Sequence, residues 1–183
     1  MSKILVIDLE TTGFLPNGSI VECGIVELDL DSGEITEVFN SLFREPTFTE
    51  ESWGSWIFSN SDLTAQEVCD APEASLIYPQ IQYVIDQYPA GVTAYNRNFD
   101  VDFLVSRGIR FGRLLPCPML LMTNICKLPS PRGGNGFKFP KVTEAYAYLF
   151  PEVEYTEAHR GLSDATDEGR IVYKLYTMGI FTL

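Results

Sequence analysis

Three short stretches place acids where a fold has to account for them. The first is an apolar run, Ile4-Leu5-Val6-Ile7, that breaks into Asp8 and Glu10 before Thr11-Thr12-Gly13. In an extended chain Asp8 and Glu10 point to one face and Leu9 to the other. Two neighbouring carboxylates repel, and burying them is costly unless something positive joins them. Either the strand surfaces there and both acids are solvated, or a positive partner is required. The second stretch, "AYNRNFDVDFL" (94–104), opens a helix that Asn98 can cap. Asp100 then shares a stripe with Phe103 and Leu104 and faces inward, whereas Asp102 lies with Ser106 toward solvent. The third, "AHRGLSDATDEG" (158–169), holds the chain's single histidine, His159, five positions before Asp164. With Ser163 as N-cap, Asp164, Asp167 and Glu168 crowd one first turn. Taken singly, each has an ordinary explanation, because a helix dipole favours acids at its start and a lone histidine is usually structural.

The elements around these residues follow from periodicity. Four consecutive apolar residues near the N-terminus read as a strand buried on both faces, and open α/β sheets place ligands at the C-terminal ends of such strands. "FLPNG" is a turn, "SIVECGIVELDL" a second strand and "ITEVFNSLF" a third, in an antiparallel meander. Residues 44–62 read as a loop. "LTAQEVCDAP" and "SLIYPQIQYVIDQY" read as helices, "AGVTAY" as a short strand, and "NFDVDFLVSRG" as a helix ended by Gly108. "PCPMLLMTNICKL" begins extended and continues as a helix, "SPRGGNGFKFP" is a loop, and "KVTEAYAYLF" and "LSDATDEGRIVYKLYTMG" are the last helices. A meander followed by strands alternating with helices is a mixed α/β sheet in one domain, 1–183.

Composition narrows the partners. With 45% hydrophobic and 21% charged residues the chain is an ordinary globular one, with no apolar run long enough for a membrane span and no signal-like N-terminus; it reads as cytoplasmic. Cys23, Cys69, Cys117 and Cys126 form no C-x-x-C pair, so free thiols are expected rather than a zinc site. The net charge of −12 argues against a protein that coats nucleic acid along its length. The charge is uneven: residues 1–90 carry Lys3 and Arg44 against 16 acids, while Lys127, Arg132, Lys138 and Lys141 form a stretch with no acid between them.

Together, D-x-E closing the first strand, N-x-x-F-D opening a middle helix and H-x4-D opening the last one form a pattern. In this order and spacing, the sequence closely resembles the DEDDh 3′→5′ exonucleases, a family of DnaQ-like proofreading epsilon-type enzymes, ribonuclease T and oligoribonuclease. The resemblance covers most of the chain: "IDLETTG" (7–13), "LTAQEV" (63–68), "AYNRNFDVDFL" (94–104), "GFKFPKVTEAYAYLF" (136–150) and "AHRGLSDATDEG" (158–169). It implies a ribonuclease-H-like fold, a five-stranded mixed sheet flanked by helices, and two divalent ions, Mg²⁺ or Mn²⁺. By the same resemblance Asp8 bridges both ions, Glu10 and Asp164 bind the first, and Asp100 reaches the second directly or through water. His159 is then the general base. Thr11 and Thr12 hold the terminal nucleotide, while Phe99 and Leu63 offer apolar contact to terminal bases or serve in core packing.

The chemistry fits such a set. Hard divalent ions take oxygen ligands, so metals reconcile carboxylates that otherwise repel. Two ions about 4 Å apart stabilise the attacking and leaving oxygens of an in-line displacement at phosphorus, and a neutral imidazole can take the proton of the attacking water. The expected activity is metal-dependent release of nucleoside 5′-monophosphates from nucleic acid 3′ ends, DNA or RNA, short or single-stranded. A non-catalytic accessory module on the same fold, docking a polymerase or nucleic acid, is the alternative from another class; a homodimer is a further partner to test. The intact acid and histidine set favours the enzyme.

Overall fold

The computed structural model describes residues 3–131 and 136–183; Arg132 of the cationic stretch lies outside them. Strands β1 (Lys3–Thr11), β2 (Ile20–Asp29) and β3 (Ile35–Leu42) form the meander, and β4 (Val92–Thr93) pairs in parallel with β1, giving the order β3-β2-β1-β4. This is the mixed α/β sheet flanked by helices that the sequence implies, with one difference. Among the described residues the sheet has four strands, and a fifth position is reduced to a single parallel bridge between Val92 and Leu114. Pro116 and Pro118 follow that bridge at once, and a proline cannot donate to a ladder.

The helices are α1 (Trp56–Asn60), α2 (Ala65–Asp70), α3 (Ala74–Asp86), α4 (Arg97–Ser106), α5 (Pro118–Cys126), α6 (Val142–Leu149) and α7 (Gly161–Thr177). The stretch 44–62 is therefore not all loop: it contains a 3-10 turn, Glu50–Gly54, and then α1. Two caps also differ from expectation. Asn96 rather than Asn98 precedes α4, and α7 begins at Gly161, after Arg160, rather than behind Ser163. In both helices the site acid consequently sits at the fourth helical position.

Alternation along β1 divides the core in two. Leu5, Ile7 and Leu9 pack with Ile77, Ile81 and Ile85 of α3 and Phe103 and Leu104 of α4. Ile4 and Val6 pack on the other face with Ala165, Ile171, Val172 and Leu175 of α7 and Met122 of α5. Asp8 and Glu10 continue the Ile4–Val6 parity, so they fall on the face that α7 covers. The start of α7 approaches the sheet closely. A Cβ on Gly24, the β2 residue paired with Asp8, would stand 2.1 Å from the Gly161 carbonyl carbon. Glycine at this crossing lets the helix carrying Asp164 come down onto the strand carrying Asp8.

Candidate active site

Asp8 is half-buried, and its Oδ2 is sealed from solvent without a hydrogen-bond partner. Glu10, two residues on, is 8% exposed. Asp100, at 5% exposure, reaches back from α4 to accept the Leu9 N–H at 3.2 Å. Asp164, at 2%, accepts the N–H groups of Ala158 and Arg160 at 3.2 and 3.1 Å, the two neighbours of His159. His159 is thereby looped over its own helix start with φ +54°, a left-handed backbone unusual for a side chain of this kind. One histidine ring nitrogen and one carboxylate oxygen each from Glu10 and Asp164 lie within 4.8 Å of one another.

Arg160 fixes the loop from outside. Its guanidinium grips Glu22 of β2 through Nε (3.0 Å) and Nη2 (3.1 Å), and its Nη1 reaches Asp62 at 2.8 Å. Trp56 from α1 meets the His159 ring edge-on, centroids 4.8 Å apart. The loop is anchored to the sheet on one side and to the α1 segment on the other.

Sequence reasoning left out one acid. Glu168 is one helical turn beyond Asp164 and 4% exposed, and its Oε2 accepts the Tyr95 N–H at 3.0 Å just before α4. It contributes the leading charge repulsion on Asp8. Its i+4 spacing from Asp164 was the available signal, because that places both on one helix face. Asp167, three residues from Asp164, points elsewhere and pairs with Arg170.

Burial raises all five acids, and neighbouring carboxylates add to it at every one but Asp100. Desolvation first, then neighbouring carboxylates, push Glu10 up to about 9 and hold Asp8 and Glu168 well above the ordinary carboxylate range. Desolvation lifts Asp100 to about 8 against the hydrogen bond from Leu9. Asp164 rises to about 6, through burial and then Glu157, its two backbone donors opposing the rise. A cluster of oxygen donors that burial makes reluctant to ionise, with an unpartnered oxygen at its centre, fits a hard divalent cation.

The remaining expected residues are divided between cleft and core. Thr11, Thr12 and Phe99 line a cavity of about 280 Å³ with Glu10, Gly13, Phe14 and Trp56. Thr12 Oγ1 accepts the Ser19 N–H at 2.9 Å, and Thr11 Oγ1 donates to the Gly13 carbonyl at 2.9 Å. Leu63 does not reach this cleft. It is 1% exposed in a small core with Val21, Phe48, Ile57 and Val68, the core-packing alternative of its two expected roles, and the apolar lining of the cleft comes from Leu9, Phe14, Trp56 and Phe99. A separate recess beside Arg44 and Phe48 contains the buried acid Glu45, which is fully engaged by Arg107, Tyr78 and the Ile20 N–H.

Fold and site define a class: a mixed-sheet protein whose C-terminal strand edge gathers buried carboxylates around one histidine. The model of the exonuclease family matches residues 5–171, and the chain belongs to that family. It is 25% identical over 178 residues to the 3′-5′ exonuclease DinG of Bacillus subtilis (strain 168), covering 94% of this chain but only 17% of that protein's length. Among solved structures it is similar to the nuclease domain of 3′hExo, a DEDDh family member, bound to rAMP. That likeness has a TM-score of 0.71 at 16% identity and covers 100% of this chain and 96% of that one. E. coli Exonuclease I in complex with a dT13 oligonucleotide gives a TM-score of 0.71 at 15% identity, covering 97% of this chain and 41% of the other.

Proposed function

We propose that the protein is a 3′→5′ exonuclease that uses two divalent cations, Mg²⁺ or Mn²⁺, to release nucleoside 5′-monophosphates from single-stranded or short nucleic acid ends. The observation that carries this reading is the orphaned Asp8 Oδ2, acted on by Glu10, Asp100, Asp164 and Glu168, with a His159 ring nitrogen within 4.8 Å of Glu10 and Asp164 oxygens. Asp8, Glu10, Asp100 and Asp164 would hold the cations, which supply positive charge to the phosphoryl oxygens and acidify the attacking water.

The chain's own residues then have separate tasks. His159 takes the proton as the water oxygen bonds to phosphorus and the bond from phosphorus to the upstream 3′-oxygen breaks. Asp164, by accepting both backbone N–H groups that flank His159, sets where the imidazole stands. Thr11, Thr12 and Phe99 line the cavity for the terminal nucleoside, with Phe14 edge-on to Phe99 at 6.0 Å.

The test incubates the pure protein with 3′- or 5′-labelled single-stranded DNA and RNA in Mg²⁺, Mn²⁺ or EDTA. Mononucleotides appearing from the 3′ end only with a cation support the reading. Internal cleavage, or full activity in EDTA, overturns it.

A further inference from the structure

The inward face of α7 runs through Asp164, Glu168, Ile171 and Leu175, a stripe of three- and four-residue steps. Ile171 and Leu175 join the core that Ile4 and Val6 of β1 enter, so the same stripe brings Glu168 down on the Asp8 face of the sheet. The strand register gives its level. Val6 pairs with Thr93 of β4, and two residues further along each strand come Asp8 and Tyr95, whose N–H donates to Glu168 Oε2 at 3.0 Å. An ionisable residue in a core stripe needs a partner. The two other glutamates buried as deeply have one: Glu22 grips Arg160 and Glu45 grips Arg107. Among the described residues Glu168 pairs with no cationic side chain, and its Oε1 accepts no hydrogen bond. In this it belongs with Asp8, Glu10, Asp100 and Asp164, not with the acids that brace the fold.

We propose that Glu168 is a fifth carboxylate of the cation centre. It serves the ion that Asp8 and Asp100 share, directly or through a bound water, and holds that ion before nucleic acid arrives. This rests on the two-cation reading and goes beyond its four acids. Position favours the Asp8–Asp100 side, because Glu10, Asp164 and the His159 ring converge without Glu168. The neighbouring charge that acts most on Asp8 is Glu168, and the one that acts most on Glu168 is Asp100. Charge favours early loading. Two divalent ions carry four positive charges, which Asp8, Glu10, Asp100 and Asp164 balance when ionised. Where a hard divalent ion has only one or two carboxylates, a substrate phosphate helps to complete its shell. Glu168 supplies a further oxygen and a further negative charge from the protein itself, so the hold on that ion does not wait for the substrate.

The experiment titrates Mn²⁺ into the protein without nucleic acid and counts the free ion by electron paramagnetic resonance. The wild type should bind two Mn²⁺ per chain. Glu168→Gln should weaken one of them by about 10- to 100-fold, the usual effect of losing a group that supports a metal site, and leave the other in place. Glutamine keeps an oxygen for the Tyr95 N–H, so a Glu168 that only braces that strand end would lose nothing. Asp167→Asn removes the same charge one residue away, from a side chain paired with Arg170, and should bind as the wild type does. Glu168→Asp keeps the charge on a shorter arm and should fall between the two; it carries the test if Glu168→Gln does not fold. Wild-type affinity for both ions in Glu168→Gln overturns the proposal, as does a wild type that takes its second Mn²⁺ only once an oligonucleotide is added. Cleavage separates this from the activity beneath it. If one ion is lost in Glu168→Gln but the wild type releases no mononucleotide, Glu168 stays at the cation and the exonuclease reading falls. Cation-dependent release by the wild type, with Mn²⁺ binding unaltered in Glu168→Gln, keeps the exonuclease and removes Glu168 from the centre.

Discussion

His159 sits at φ +54° because both of its flanking N–H groups are tied to the Asp164 carboxylate. Asp164 therefore has two tasks, and its neighbour three residues on has neither. Asp164→Asn should abolish cation-dependent cleavage. Asp167→Asn should keep it, losing only an exposed pair with Arg170 worth about 0.3–0.5 kcal/mol. Chemical denaturation and a cleavage assay on the two variants check this, and the reverse pattern would show that the wrong acid has been assigned. His159→Ala should cut turnover by roughly 10²–10⁴-fold with cation affinity nearly unchanged, a split that loss of a merely structural ring would not give. At this scale the sequence was legible where spacing was rigid: D-x-E on a strand and H-x4-D at a helix start each allow one geometry. Glu168 was legible only in part: its i+4 spacing puts it on the Asp164 face, but its tie to the Tyr95 N–H, 73 positions away, has no local mark. For Leu63 the sequence left base contact and core packing both open, and the structure puts it in the core with Ile57 of α1.

At the scale of elements, the site exists because α7 crosses β2 at contact distance. A Cβ on Gly24 would fall 2.2 Å from the Leu162 nitrogen, and one on Gly161 would fall 2.8 Å from the Gly24 nitrogen. Backbone cannot yield there as a flexible side chain would. Gly24→Ala should cost about 3 kcal/mol or more, above the usual range for an overpacked core, and should lose activity even where some protein stays folded. Arg160→Ala tests the second tether. It strands Glu22, 2% exposed, without its guanidinium. A third of Arg160 is open to solvent, so the low end of the range for a broken buried pair, about 3 kcal/mol, is expected. Arg160→Lys should recover only part of it, since an ammonium cannot make the two-point grip. Melting curves for the three variants decide both points; wild-type stability in Gly24→Ala would mean the helix can stand off the sheet. The alternation of β1 and the amphipathic α3 and α7 made the layers readable. Helix starts were less so, for neither Asn96 nor Arg160 makes a side-chain cap hydrogen bond, and α4 and α7 begin ahead of Asn98 and Ser163 without the capping chemistry that marks a start in sequence.

For the molecule as a whole, the five clustered acids set how stability depends on pH and cations. In the unfolded chain each ionises near the ordinary carboxylate value of about 4. In the fold Asp164 is lifted to about 6, Asp100 to about 8 and Glu10 to about 9, while Asp8 and Glu168 are also pushed upward. Between those limits the folded, cation-free protein binds more protons than the unfolded one. Its stability is then fully present below about pH 4 as far as these groups go, and is lost as pH rises through about 6 to 9. Glu45 and Glu27, held below their ordinary range against the cost of burial by Arg107 and Lys3, work in the opposite sense and matter only toward acid. Melting temperature in EDTA should therefore fall from pH 5 to pH 9, and Mg²⁺ or Mn²⁺ should restore it by an amount that grows with pH, because the cation binds the ionised carboxylates. Glu168→Gln removes one repelling charge, and its amide oxygen still accepts the Tyr95 N–H. It should raise the metal-free melting temperature at pH 8, by a stability on the order of 1 kcal/mol, and shallow the slope. A melting temperature that climbs with pH in EDTA, or a cation effect as large at pH 5 as at pH 8, would mean that these acids are not held together by bound cations.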